Sequence, residues 1–208
     1  MEINPLIAVR NSPPSPEHVA CINDRRNKLR DYSAAALAGR SEFVWEIGCG
    51  HGHFLTAYAT AHPDAFCIGV DVILERIGRA ERKHRRAQLA NLSFVRADAR
   101  DFIASLPAGV RFTAVYMLFP DPWPKRRHHK HRLLEPIFLH DVGLRAGQGT
   151  RFYFRTDHEP YFRDALAVIT AHPDWTAVPD APWPFEMPTV FQQKAAGFHS
   201  IVAERNSH

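Results

Sequence analysis

Five short apolar runs alternate with stretches of helical periodicity, and this alternation restricts the fold more than any other feature of the chain. Residues 43–47, 66–70, 92–95, 112–119 and 150–154 have strand length and are mostly rich in β-branched or aromatic side chains. Between them, apolar residues recur at helical spacing: Ile73, Leu74, Ile77, Ala80 and Ala87, and later Tyr161, Phe162, Ala165, Leu166 and Ile169. Strand, helix and strand in alternation bury their apolar sides only as a parallel sheet covered on both faces. The expected fold is α/β, a mostly parallel sheet with helices on both faces.

The 208 residues suit one domain with room for a sizeable core. Residues 11–16 (Asn-Ser-Pro-Pro-Ser-Pro) read as an irregular linker and 17–40 as a helix ending at Gly39. The expected organisation is an N-terminal arm over 1–40 and a core domain over 41–208. Residues 179–188 are too proline-rich for regular structure and read as a surface loop before a last strand near 198–203. No apolar run approaches the roughly 18 residues of a membrane helix. The first five residues lack a basic-then-apolar leader, so a cytoplasmic, non-membrane protein is expected. Cys21, Cys49 and Cys67 are odd in number and far apart, which argues against a disulfide framework or a zinc knuckle; all three are expected to be reduced and buried.

An acidic residue stands at or near the carboxyl end of each apolar run: Glu46, Asp71, Asp98, Asp121 and Asp157. In an open parallel sheet these ends share one edge, and ligands of doubly wound folds bind there. After the first run comes Glu46-Ile47-Gly48-Cys49-Gly50-His51-Gly52, whose alternating glycines let the backbone turn sharply and approach a ligand. A dinucleotide fingerprint would need a glycine where His53 stands. The alternating form instead suits a nucleoside ligand without a pyrophosphate, such as S-adenosylmethionine. Asp71, 25 positions after Glu46, has the acceptor oxygens for two ribose hydroxyls. Asp98 reads equally as an acceptor for an adenine amino group or as the N-cap of a helix starting near Arg100.

The segment Phe119-Pro120-Asp121-Pro122-Trp123-Pro124-Lys125 sets an acid among three prolines and leads into a run of eight basic or imidazole side chains over 125–132. Proline fixes φ and restrains the residue before it, so Asp121 is expected in a rigid bend. The cationic run beside it is a phosphate grip. No metal site is expected from His128, His129 and His131, which are crowded among cations.

These residues resemble the bacterial tRNA (guanine-N7-)-methyltransferases, a family of class I, Rossmann-like fold. The resemblance covers roughly 41–203. It rests most specifically on Phe119 to Lys125 with Arg127-His128 and Arg132-Leu133, and further on the glycine turn, Thr156-Asp157 with Tyr161, and Pro188-Thr189-Val190-Phe191 leading to Gly197-Phe198-His199. It implies that Glu46, Gly48, Gly50, Asp71, Asp98 and Asp121 contact S-adenosylmethionine. Lys125, Asp157, Thr189, Val190, Phe191 and Gln192 are implied to contact the substrate, with Asp121 as the catalytic candidate. The implied reaction is methylation of N7 of a guanosine in the tRNA variable loop. The chain departs from the family at His51 and His53, where a Lys and an acid are usual, and at Gln192, where Glu is usual. Two alternatives stay open at this point. One is methylation of an exocyclic amine on another RNA base or a protein glutamine, since Asp-Pro-Trp-Pro is loosely like the motif of such enzymes; the other is a catalytically weak tRNA-binding relative. A dehydrogenase lacks its glycine spacing here, and a hydrolase its G-x-S-x-G turn.

Overall fold

The structure, a computed structural model, describes residues 15–187 and 197–206. Its strands are β1 (Glu42–Ile47), β2 (Cys67–Asp71), β3 (Leu92–Arg96), β4 (Arg111–Leu118), β5 (Ala146–Thr156), β6 (Trp175–Ala177) and β7 (His199–Arg205). They form one sheet in the order β3-β2-β1-β4-β5-β7-β6. The first five strands pair in parallel, and β7 runs antiparallel between β5 and β6. The expected α/β class and the five parallel strands are therefore observed, with ends shifted by a residue or more. The expected last strand is β7, whereas β6 carries too short an apolar signal to be read from the sequence.

The helices are α1 (Pro16–Ala36), α2 (His53–Ala61), α3 (Leu74–Ala87), α4 (Ala99–Ser105), α5 (Pro136–Gly143) and α6 (Glu159–Ala171). Burial on both faces explains the continuous apolar runs. In β1, Phe43, Trp45 and Ile47 enter one cluster while Val44 enters the other, because successive side chains point to opposite faces. On the first face Trp45 stacks on Phe112 with centroids 5.1 Å apart, and Phe138 of α5 closes over them. On the second, Phe54 and Leu55 of α2 pack with Tyr116 and Tyr153, which stack at 4.7 Å. Gly52 begins α2 at φ 68°, and a Cβ there would lie 2.5 Å from the Phe94 ring, so close helix-to-sheet packing requires glycine.

The N-terminal helix lies on α4. Leu29 and Leu37 are buried, Ser33 bonds Ser105 at 2.8 Å, and Arg25 and Arg26 both reach Asp101. Cys49 and Cys67 are buried as expected, but Cys21 is exposed, lining the groove between α1 and the segment leading into α4. Residues 181–187 form no helix or strand, yet they are not merely a surface loop. Trp183, Phe185 and Met187 pack against the second core cluster. Among the described residues no helix is long and apolar enough to cross a membrane.

Candidate active site at the sheet switch point

The strand order reverses between β1 and β4, and the connections leaving their carboxyl ends diverge there to form a crevice. A cleft of about 300 Å³ occupies it, lined by Glu46, the glycine turn, His51, His53, Arg76, Leu118 to Pro122 and Asp157. That volume is at the lower end of ligand pockets.

The glycine turn forms the floor. Gly48 and Gly50 adopt φ 68° and 54°, left-handed values open to glycine at little cost, and nothing lies within 4 Å of where their Cβ atoms would be. The backbone is thus bare toward the cleft. Beneath it Glu46 is only 4% exposed. Burial pushes its carboxyl well above the usual range, opposed by a hydrogen bond donated by the Leu55 amide and reinforced by nearby Asp71. Its Oε2 has no hydrogen-bond partner among the described residues. A buried, unmatched carboxyl oxygen under an open turn fits a ligand that brings an N–H donor or a positive charge.

The second wall comes from the segment after β4. Phe119 and Trp123 have φ of 50° and 45°, a strained choice for side chains of that size, and Asp121 stands between them facing the cleft. The buried guanidinium of Arg132 holds this bend: its Nε donates to the Pro122 carbonyl at 2.9 Å, it pairs with Asp164 of α6, and it lies over the Tyr161 ring at 4.8 Å. Trp123 is braced by His131 and His128, with ring centroids at 5.0 and 5.9 Å. The third wall is the end of β5, where buried Thr156 precedes exposed Asp157. Neither Asp121 nor Asp157 has a hydrogen-bond or ion-pair partner among the described residues, so both carboxylates are left for a ligand.

Of the expected site residues, the structure brings Glu46, Gly48, Gly50, Asp121 and Asp157 together around the cleft. Asp71 stands behind it, with its oxygens on the backbone: Oδ2 accepts from the Gly50 amide at 3.0 Å and Oδ1 from the Ile73 amide at 2.8 Å. Its visible work is to shape the glycine turn. Asp98 caps α4, accepting from the Arg100 and Asp101 amides, and faces the groove beside α1. Lys125 is exposed at the start of a 3₁₀ turn over Arg126–His131, outside the cleft lining. Thr189, Val190, Phe191 and Gln192 lie outside the described residues. Arg76 was not expected. Its Nη1 lies 3.6 Å from Asp71 and it lines the cleft, a place signalled only by its position in the first turns after β2.

The sequence profile of a family described as "Putative methyltransferase" matches residues 40–204. The tRNA (guanine-N(7)-)-methyltransferase of Roseobacter denitrificans is 35% identical over 162 residues, 73% of this chain and 67% of that protein. The chain belongs to this methyltransferase family. The protein of the same name from Streptomyces coelicolor is 37% identical over 132 residues, 64% of this chain. The chain spans about half the length of that relative, 49%, and 56% of one from Rhodospirillum rubrum. Among solved structures, an rRNA methylase from Streptococcus thermophilus covers 94% of this chain and 99% of its own at a TM-score of 0.55 and 12% identity. At that identity the likeness is one of fold, the class I Rossmann-like methyltransferase fold expected from the sequence.

Proposed function

We propose that this chain transfers a methyl group from S-adenosylmethionine to N7 of a guanosine in the variable loop of tRNA. The observation that carries the reading is the convergence of Glu46, Asp121 and Asp157 on one cleft at the switch point, with Glu46 Oε2 unmatched beneath an open glycine turn. Glu46, Gly48, Gly50 and Asp121 are the residues for the donor, with Asp71 acting on it through the glycine turn and Asp98 as the candidate for its adenine end. When bound, the donor supplies a methyl group on a positively charged sulfur, for which the N7 lone pair of guanine is a sufficient acceptor with no proton to remove.

The protein therefore needs no general base at the acceptor. Its contribution is orientation and negative potential where positive charge develops on the purine. Asp121, fixed in its strained bend, supplies that potential, and Asp157 accepts from the guanine N1 and N2 edge. Of the run over 125–132, the exposed Lys125, Arg126, Arg127 and Lys130 hold phosphate, whereas Arg132 is buried and paired with Asp164 and so stands outside the expected grip; Thr189, Val190, Phe191 and Gln192 complete the substrate contacts. Such a substrate puts the work in the cytoplasm.

The test is incubation of the full chain with labelled donor and tRNA lacking the modification, followed by nucleoside analysis and aniline cleavage. The expected product is 7-methylguanosine at an aniline-cleavable site. Label on an exocyclic amine, which leaves the strand uncleaved, or no label at all, overturns the reading.

A further inference from the structure

Helix α3 departs from its neighbours in what it spends on packing. Of its 14 residues only Ile77 and Ala80 are buried, while six are cations: Arg76, Arg79, Arg82, Lys83, Arg85 and Arg86. Only two carboxylates accompany them, Glu75 and Glu81. Arg76 faces Asp71 and Arg79 pairs with Glu75 at 2.6 Å. Lys83 donates to His53 Nδ1 at 2.7 Å, and Arg82, Lys83, Arg85 and Arg86 have no carboxylate partner among the described residues. Arg79 and Arg82, Arg79 and Lys83, Arg82 and Arg86, and Lys83 and Arg86 are neighbours three or four positions apart, where like charges weaken a helix. Cations in a last turn are favoured by the helix dipole, which accounts for Arg85 and Arg86 but not for the three in mid-helix.

This self-repulsion has a direction. At 3.6 residues per turn, Arg76, Arg79, Arg82, Lys83 and Arg86 fall on one side of the helix, a stripe of about 15 Å. Its upper end is the cleft itself, through Arg76. Arg79, Arg76 and Lys83 add to burial in lowering the titration of His51 at the cleft rim, so their field reaches the site. Across the cleft, the bend carrying Asp121 runs into the cationic 3₁₀ turn over Arg126–His131. Two cationic limbs therefore leave the cleft, one on each side.

We propose that the outer face of α3 is a second phosphate-binding surface, holding the tRNA strand on one side of the target guanosine while the exposed cations of residues 125–131 hold it on the other. The inference rests on the tRNA reading above. An RNA strand fits because its charges lie outside its bases and repeat along its length, as the stripe does, and each phosphate neutralised releases counterions.

The test is a double variant, Arg82→Gln and Arg86→Gln, neither of which lines the cleft. Binding of unmodified tRNA is followed by fluorescence anisotropy between 50 and 200 mM salt, with calorimetry of the donor and thermal melting alongside. The expected result is a salt slope shallower by about 2, one phosphate contact per cation, and affinity more than about tenfold weaker at the low-salt end. Donor affinity is unchanged, and the melting temperature is no lower because repulsion has been relieved. Unchanged slope and affinity overturn the proposal, as does weaker binding with an unchanged slope. Should the double variant melt lower than the parent, Arg82→Gln and Arg86→Gln are read singly, each expected to lower the slope by about one. A parent that makes 7-methylguanosine with a slope insensitive to these changes sinks the inference alone. A parent that binds tRNA through α3 but yields no 7-methylguanosine sinks the functional reading alone, and a parent that does not bind tRNA sinks both.

Discussion

Glu46 supplies a prediction that separates its electrical role from its shape. Its carboxyl is buried under the glycine turn and burial raises its titration well above the usual range, so between the ordinary and the raised value the ligand-free protein keeps a proton that an exposed glutamate would lose. An ammonium group arriving at Oε2, the oxygen without a partner, favours the carboxylate and expels that proton. Within that pH interval donor binding is therefore expected to release up to about one proton per site. A charge-assisted hydrogen bond is worth about 1.5–3 kcal/mol net, against about 0.5–1.5 for a neutral one. The isosteric Glu46→Gln variant keeps the second and loses the first, so donor affinity should fall by about 1–2 kcal/mol, or roughly 5- to 30-fold.

Calorimetry of donor binding in buffers of different ionisation enthalpy reads the proton directly. The parent should show a buffer-dependent enthalpy and the glutamine variant should not. The same shift makes a statement about stability. Because the folded-state titration of Glu46 is raised, its stabilising contribution is complete below the unfolded carboxyl value and is lost as pH rises through the folded one. Glu46→Gln, which cannot ionise, should melt like the parent in acid and above it at pH 8. Buffer-independent enthalpy in the parent, or equal proton release from the variant, would refute the argument.

His51 and His53 titrate below their ordinary value, His51 through burial and then Arg79, Arg76 and Lys83, and His53 through burial, Lys83 and His51. As pH falls through those lowered values the rim gains positive charge, so S-adenosylmethionine should lose affinity faster than S-adenosylhomocysteine, whose sulfur is neutral; parallel pH profiles by calorimetry would count against this. Neutralising Lys125, Arg126 and Arg127 together should make the salt slope of tRNA binding shallower by about 2–3, and an unchanged slope means the phosphates lie elsewhere. Asp98→Ala should cost about 1 kcal/mol of stability through the lost α4 cap, and Asp98→Ser should recover most of it. If Asp98 also meets adenine, the serine variant binds donor less tightly than the parent despite its restored melting temperature; equal affinity confines Asp98 to capping.

What the sequence made legible was whatever depends on local pattern. Strands buried on two faces write continuous apolar runs, and a turn that needs left-handed backbone writes glycines, so the sheet and the glycine turn could be read directly. Acids at strand ends could be counted, but not aimed. Glu46, Asp121 and Asp157 face the cleft, Asp71 turns back to the Gly50 and Ile73 amides, and Asp98 caps α4. Periodicity places a residue on an edge without deciding whether backbone amides there will claim it. Buried cations were illegible for a different reason. Arg155 pairs with Glu186 across 31 positions and lies 3.8 Å from the Trp183 ring and 4.4 Å from that of Phe198. Arg132 pairs with Asp164 across 32. No window of local sequence contains both members of either pair.

The bend around Asp121 shows how these two kinds of information combine. Its prolines narrow the choices of the chain but do not select among them, and the bend adopted places Phe119 and Trp123 in left-handed conformations that cost about 1–2 kcal/mol each. Something must outweigh that strain. The Arg132 guanidinium is the strongest candidate on geometry, since it joins the Pro122 carbonyl to Asp164 and Tyr161 on α6, the helix that follows Asp157. One buried cation thus ties the wall carrying Asp121 to the helix behind the wall carrying Asp157. In the proposed reaction, the handling of a developing purine cation would depend on how those two walls are held together, and the residue that joins them touches neither carboxylate.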